Sequence, residues 1–201
     1  IGCGVGSILK PLLGQDLAVT GIEPSPYMLD IVFNRFDNKV DLYRGYAEDL
    51  PFDDNSFNHA CFFTSLEFVD DPKKALSEAF RVAKDRVFLG VLNRYALKGV
   101  QRRVVGVFTQ TIYNRAQFYS IWELKRLVRE LLGDVPIRWR TVCLFPEIEG
   151  PLVSSIERSA LVQRCPFGTF AGMVITLVPR FRTRPLALRY QANSSPGALP
   201  T

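Results

Sequence analysis

The sequence predicts an α/β domain built on a doubly wound sheet, mostly parallel, with an antiparallel strand pair at its C-terminal end. Three observations point there. Short runs rich in Val, Ile and Phe alternate with longer amphipathic stretches. Proline, aspartate and glycine mark helix starts and stops between them. A chain of 201 residues, 47% apolar and 22% charged, is long enough for one real core.

Taken in order, Leu17–Ile22 reads as a strand, Pro26–Phe36 as a helix and Val40–Arg44 as a strand. His59–Phe63 and Arg86–Leu92 read as two further strands flanking a helix over Pro72–Val82. That helix has Asp71 as N-cap, Pro72 at its first position and one apolar face of Ala75, Leu76, Ala79, Phe80 and Val82. Ser120 and Glu123 form a capping-box pattern ahead of Leu124, Leu127, Val128, Leu131 and Leu132, and Gly133 closes it. Pro11 interrupts the segment after the first glycines, so a first helix there is kinked or starts late, near Lys10. Strands over Val142–Phe145 and Met173–Val178 supply the antiparallel pair, with a further helix between Leu152 and Gln163. The expected organisation is one domain over residues 1–184, a substrate-facing insertion or lid over 93–119 and a disordered tail over 185–201.

Composition narrows the chemistry. No apolar run approaches the ~18 residues that span a bilayer. Cys3, Cys61, Cys143 and Cys165 contain no C-x-x-C pair, so neither a zinc site nor a disulfide framework has support, and a reducing cytoplasm is the expected setting. His59 is the single histidine and sits in an apolar strand, which suits a structural role at a strand edge and rules out a multi-histidine metal centre. Charge is uneven: up to Val100 there are 11 basic and 14 acidic residues, and after it 14 basic and 6 acidic. A basic second half suits a solvated face or an acidic partner.

Gly2, Gly4 and Gly6 lie where a strand would hand over to a helix, and a glycine turn there lets backbone approach a ligand that a Cβ would exclude. Glu23 follows the first glycine by 21 residues, near the ~20 expected of an acid that accepts hydrogen bonds from a ribose diol. Together these predict a Rossmann-like site for an adenosine-type cofactor. Ser7 stands where a dinucleotide fold wants a third glycine or alanine, so a nicotinamide cofactor fits less well. Because Ile1 abuts the glycines with no room for a strand, the first strand is expected to precede it in a chain longer by a few tens of residues.

Several motifs in order resemble the class I S-adenosylmethionine-dependent methyltransferases, particularly the type 11 group that includes ubiquinone and menaquinone biosynthesis enzymes. They are Ile1-Gly2-Cys3-Gly4-Val5-Gly6, then Gly21-Ile22-Glu23-Pro24-Ser25 with Met28-Leu29, and Gly45-Tyr46-Ala47-Glu48-Asp49-Leu50-Pro51-Phe52 with Asn55-Ser56-Phe57. Leu66-Glu67-Phe68-Val69-Asp70-Asp71-Pro72 completes the set, leading into Ala75-Leu76-Ser77-Glu78 and Arg81-Val82. The resemblance covers Ile1 to about Gly133 and implies a seven-stranded fold whose first strand is truncated here. It implies that S-adenosylmethionine is the cofactor. Its methionine part would lie along Gly2, Cys3, Gly4 and Gly6, and its ribose on Glu23 beside Pro24 and Ser25. Its adenine would be framed by Tyr46, Ala47 and Glu48, and Phe63, Thr64 and Ser65 would face both cofactor and acceptor. Where many members carry aspartate this chain has Tyr46, so Glu48 is expected to accept from the adenine amino group.

A sulfonium methyl is already activated and mainly needs a nucleophile aligned behind it with water kept out. No catalytic residue is assigned, although Tyr95, Tyr113, Tyr119 and Glu67 stand near the expected mouth. Arg94, Arg102, Arg103 and Arg115, interleaved with aromatics, suit arginine forks on an anionic acceptor. The leading expectation is a small-molecule methyltransferase acting on an O, N or C nucleophile. The alternatives are an RNA or carrier-protein methyltransferase using the basic half, and a non-catalytic cofactor-binding protein.

Overall fold

The computed structural model describes residues 1–36, 39–95, 116–142 and 163–177. After a short helix α1 (Leu9–Leu13), the chain runs β1 (Thr20–Glu23), α2 (Pro26–Phe36), β2 (Asp41–Arg44) and β3 (Phe57–Phe63). It continues through α3 (Pro72–Val82), β4 (Ala83–Leu92), α4 (Ile121–Leu132), β5 (Ile137–Val142) and β6 (Phe170–Thr176). The six described strands form two sheets. β1 and β2 pair in parallel, and the other sheet runs β3-β4-β6-β5, with β3 and β4 parallel and β6 antiparallel to both its neighbours. The α/β class and the C-terminal antiparallel pair are as expected.

The two sheets are joined through Ile1–Cys3. Ile1 N donates to Cys61 O on β3 at 2.7 Å, while Gly2 N and Cys3 N donate to Ile22 O on β1 at 2.9 and 3.1 Å. These three residues therefore supply donors to edges that β1 and β3 leave open.

Local rules account for the elements. Asp71 accepts from Lys73 N and Lys74 N, each at 3.0 Å, and Pro72 begins α3 at the position where its missing N–H costs nothing. α3 buries Ala75, Leu76, Ala79 and Val82 in a core shared with Phe62, Val87, Leu89 and Val91 of the sheet. No turn separates α3 from β4: Val82 ends one and Ala83 begins the other. α4 carries the full capping box on Ser120 and Glu123, and Gly133 terminates it at φ 77°. α4 then buries Ile121, Leu124 and Val128. Pro11 falls inside the first turn of α1, where it interrupts no helical bond, so that helix starts at Leu9, close to where it was expected.

Several strand boundaries differ from expectation: β3, β4 and β6 start at Phe57, Ala83 and Phe170, ahead of the expected His59, Arg86 and Met173. Of the strand expected over Val142–Phe145, Val142 alone lies among the described residues, and it ends a strand that begins earlier than expected, at Ile137. Ile137 and Trp139 pack on the core while Arg138 and Arg140 are exposed, and Lys125 of α4 lies 5.0 Å over the Trp139 ring. Alternation across a half-buried edge strand, with arginine at every second position, hides the apolar run that sequence reading looks for. β1 likewise starts at Thr20 and not Leu17, since Leu17 is exposed. Residues 96–115 of the expected lid, 143–162 including most of the expected helix from Leu152, and the tail over 185–201 lie outside the described residues.

Arg81 fastens the connection ahead of β3. Its guanidinium donates to Leu50 O at 3.0 Å, Phe52 O at 2.7 Å, Asp54 at 2.9 Å and both oxygens of Glu78 at 2.7 Å. Glu78 in turn accepts from Leu50 N at 2.9 Å, and the Arg81 hydrogen bonds hold its carboxyl below the usual range. Replacing Ser120 by alanine removes both the cap on Glu123 N and the Glu123 partner, and is expected to lower stability by about 1 kcal/mol in urea titration.

Candidate functional site

The carboxyl ends of β1, β3 and β4 open on one edge, where open α/β sheets hold ligands. The glycine turn lies against that edge. Gly2, Gly4 and Gly6 have φ of 66°, 52° and 79°, backbone that side chains other than glycine adopt at a cost. Crowding adds a second reason at two of them. A Cβ on Gly2 would stand 2.5 Å from the Ser65 Cβ, and one on Gly6 would stand 2.7 Å from the Phe36 ring. At Gly4 nothing lies within 4 Å, so the centre of the turn faces open space.

Glu23 ends β1 and is 7% exposed. Its Oε2 accepts from Gly4 N at 3.0 Å and its Oε1 from Ser25 N at 3.2 Å, which sets the carboxylate beside that open space with acceptor capacity to spare. Ser25 accepts from Met28 N through its hydroxyl at 3.4 Å and so starts α2, while Pro24 O accepts from Arg44 Nε at 3.4 Å. The expected residues from the two sequence regions thus meet.

Other expected residues divide. Cys3 turns its side chain into a small core with Leu9, Val32, Phe36 and Val40, and burial pushes the thiol pKa up. What it offers the turn is backbone. Tyr46 is 66% exposed, and Ala47 beside it is buried. Glu48 Oε1 accepts from Asp70 N at 2.9 Å and Asp71 N at 3.3 Å, so one of its oxygens is already committed to the segment before α3.

Phe63, Thr64 and Ser65 close the far side. Phe63 is 40% exposed, with its ring 5.2 Å from that of Phe170. Thr64 takes φ 49°, which is strained for a β-branched residue, and is held there by Thr64 N donating to Gly90 O at 2.7 Å. Ser65 donates its hydroxyl to Ile1 O at 2.8 Å, tying the end of β3 to the glycine turn.

Sequence reading missed Asn93. It is buried; its amide donates to Pro166 O at 2.6 Å and Gly168 O at 2.8 Å, and its oxygen accepts from Tyr95 N at 3.2 Å. A polar residue closing the apolar run of β4 was the available signal. Arg94, expected as an anion clamp, is paired with Glu123 and donates to Phe118 O at 2.9 Å; Arg102, Arg103 and Arg115 lie outside the described residues. Tyr119 is buried and its pKa is pushed up to about 12, chiefly by desolvation. A largely apolar cleft of about 1010 Å³ runs between the two sheets, past Val19, Thr20, His59 and Cys61. Ile1, Gly2, Cys3 and Phe63 line it too, so it reaches the start of the turn, while Glu23, Tyr46 and Ser65 lie outside it.

A methyltransferase-domain family model matches residues 1–90. An uncharacterized protein of Methanocaldococcus jannaschii is 32% identical over 154 residues, covering 74% of this chain and 69% of that protein. A solved S-adenosylmethionine-dependent methyltransferase of Thermotoga maritima, described as a possible histamine N-methyltransferase, superposes with a TM-score of 0.69 at 28% identity, covering 88% of this chain and 79% of that one. This chain belongs to the S-adenosylmethionine-dependent methyltransferases. The demethylmenaquinone methyltransferase of Renibacterium salmoninarum is 36% identical to this methyltransferase over 84 residues, but that match spans only 42% of this chain and 35% of the relative. No helix among the described residues of the methyltransferase is long and apolar enough to cross a membrane.

The glycine positions separate ligand space from packing. Gly4→Ala is expected to keep the fold and to weaken S-adenosylhomocysteine binding tenfold or more, because the new methyl enters the open centre of the turn. Gly6→Ala is expected to lower the melting temperature more, because its methyl meets Phe36. Calorimetry and thermal melts on the two variants check both.

Proposed function

We propose that this chain binds S-adenosylmethionine at the glycine turn and transfers its methyl group to a small-molecule acceptor. The observation that carries the reading is the Glu23 carboxylate set 3.0 Å from Gly4 N, beside a turn whose centre is open. A ribose diol needs paired acceptors and a methionine chain needs close backbone, and this arrangement offers both. When bound, S-adenosylmethionine supplies a sulfonium methyl that needs no further activation.

In this reading Glu23 accepts from the ribose hydroxyls, with Pro24 and Ser25 bordering the same pocket. Gly2, Gly4 and the backbone of Cys3 approach the methionine part, and Gly6 lets the turn enter α1. Tyr46 offers its exposed ring and Ala47 a small wall to the adenine, while the uncommitted oxygen of Glu48 faces its amino group. Phe63, Thr64 and Ser65 border the acceptor and keep water from the reacting centre. The acceptor presents an O, N or C nucleophile. With Arg94 engaged by Glu123, recognition of an anionic group on it falls to the other arginines of the 93–119 segment. A reducing cytoplasm remains the proposed setting, on the absence of any C-x-x-C pair or disulfide framework in the cysteine spacing.

Titration calorimetry with S-adenosylmethionine and, separately, NADH tests the cofactor. S-adenosylmethionine is expected to bind and NADH not to. Glu23→Ala is expected to weaken binding by tenfold or more, as loss of hydrogen bonds to a charged acceptor implies. Binding of NADH alone, an unaffected variant, or a folded chain that binds neither would overturn the assignment.

A further inference from the structure

Gly90 lies buried near the carboxyl end of β4, paired with Phe63 of β3 on one side and with Gly172 of β6 on the other. Its backbone is ordinary strand, so conformational freedom does not account for a glycine, which weakens a strand interior. Space does. A Cβ at Gly90 would stand 2.7 Å from the Phe170 ring and 2.9 Å from the Phe63 ring. Both rings therefore rest directly on the strand, with centroids 5.2 Å apart and planes inclined at 46°. Gly172 supplies the contrast: a Cβ there would meet Arg140 O at 3.9 Å, which is ordinary contact.

Main-chain bonds hold both rings in that seat. Thr64 N donates to Gly90 O at 2.7 Å, so the residue after Phe63 is tied to the same glycine. Asn93 donates its main-chain N–H to Thr169 O at 3.0 Å and its amide to Gly168 O at 2.8 Å, which fixes the two residues ahead of Phe170. Position gives the pair its use. Phe63 is 40% exposed, and both rings look onto the cleft that Ile1 and Gly2 of the turn also line. Ser65, two residues after Phe63, is bonded to Ile1 O. An acceptor must meet the cofactor beside the turn at the carboxyl edge of the strands, and these two rings are an apolar surface open to it there.

We propose that the methyl acceptor lies with its apolar flank against a shelf made by Phe63 and Phe170, and that Gly90 is the positioning residue that seats both rings for it. This rests on the methyltransferase reading above. Two rings inclined to one another offer a face and an edge to a third, so the shelf selects a planar acceptor over a saturated one of the same size. A methyl on Gly90 would lift both rings off the strand at once, and would so alter the shelf without touching Glu23 or the glycine turn.

The test uses the full chain as wild type, Gly90→Ala, Gly172→Ala and Phe170→Leu, with 2-naphthol and its saturated counterpart decahydro-2-naphthol as probes. S-adenosylhomocysteine affinity is measured first, by calorimetry. Probe binding to the S-adenosylhomocysteine complex is then read from the ring resonances of ¹³C-phenylalanine-labelled protein, with Phe63 and Phe170 assigned through their leucine variants. In wild type, 2-naphthol is expected to move both resonances and to bind more tightly than the saturated probe. Gly90→Ala is expected to shift both resonances before any probe is added and to weaken 2-naphthol about tenfold, with S-adenosylhomocysteine affinity within about twofold. Gly172→Ala, the added methyl that meets no ring, is expected to change neither affinity. Phe170→Leu is expected to weaken 2-naphthol about fivefold, and decides the matter alone if Gly90→Ala does not fold. Resonances that 2-naphthol leaves in place, equal binding of the two probes, equal losses in Gly90→Ala and Gly172→Ala, or an unaffected Phe170→Leu would overturn the proposal. Failure of the folded wild type to bind S-adenosylhomocysteine would instead overturn the methyltransferase reading, and the proposal with it.

Discussion

Three donated hydrogen bonds, from Ile1 to Cys61 and from Gly2 and Cys3 to Ile22, hold the geometry on which everything else depends. The acid of the site belongs to one sheet and Phe63, Thr64 and Ser65 to the other. The glycine turn bonds to both, through Glu23 on one side and Ser65 on the other. A change in how Ile1–Cys3 sits would move the two halves of the site relative to one another, even with every side chain in its own rotamer. The left-handed glycines are what allow the chain to leave that seam and still turn into α1.

The edge opposite the turn is built by a different means. β3 ends in a strained Thr64, Asn93 staples the end of β4 to the segment before β6, and Arg94 and Glu123 tie the same region to α4. Strain persists only where surroundings over-determine it, and here the Gly90 carbonyl and the Ser65 hydroxyl do so. Arg94 is accordingly consumed in holding this edge together.

Much of this was legible in the residues. α2 and α3 fall on the expected boundaries because prolines fix their starts, and α4 because a capping box and a C-terminal glycine bracket it. The pairing of the glycine turn with Glu23 was legible because a spacing of this kind records one strand–helix–strand unit. β5 was not, because an edge strand with arginines on its outer face carries no apolar run. Nor was the inward turn of Cys3, since a glycine-flanked residue gives no sign of which way its side chain points. The burial of Glu67 was hidden for a related reason: its partners, Leu92 and Gln117, are 25 and 50 residues away in sequence, and only tertiary packing brings them to it.

The fastening of Leu50–Asp54 by Arg81 and Glu78 bears on how a ligand is captured. The loop carrying Tyr46, Ala47 and Glu48 is anchored downstream by that guanidinium and across to Asp70 and Asp71 by Glu48 itself. Its backbone is thus preorganised, and a cofactor at the proposed wall would immobilise side chains and not main chain. Association there forfeits less conformational freedom, so affinity depends on complementarity more than on induced ordering.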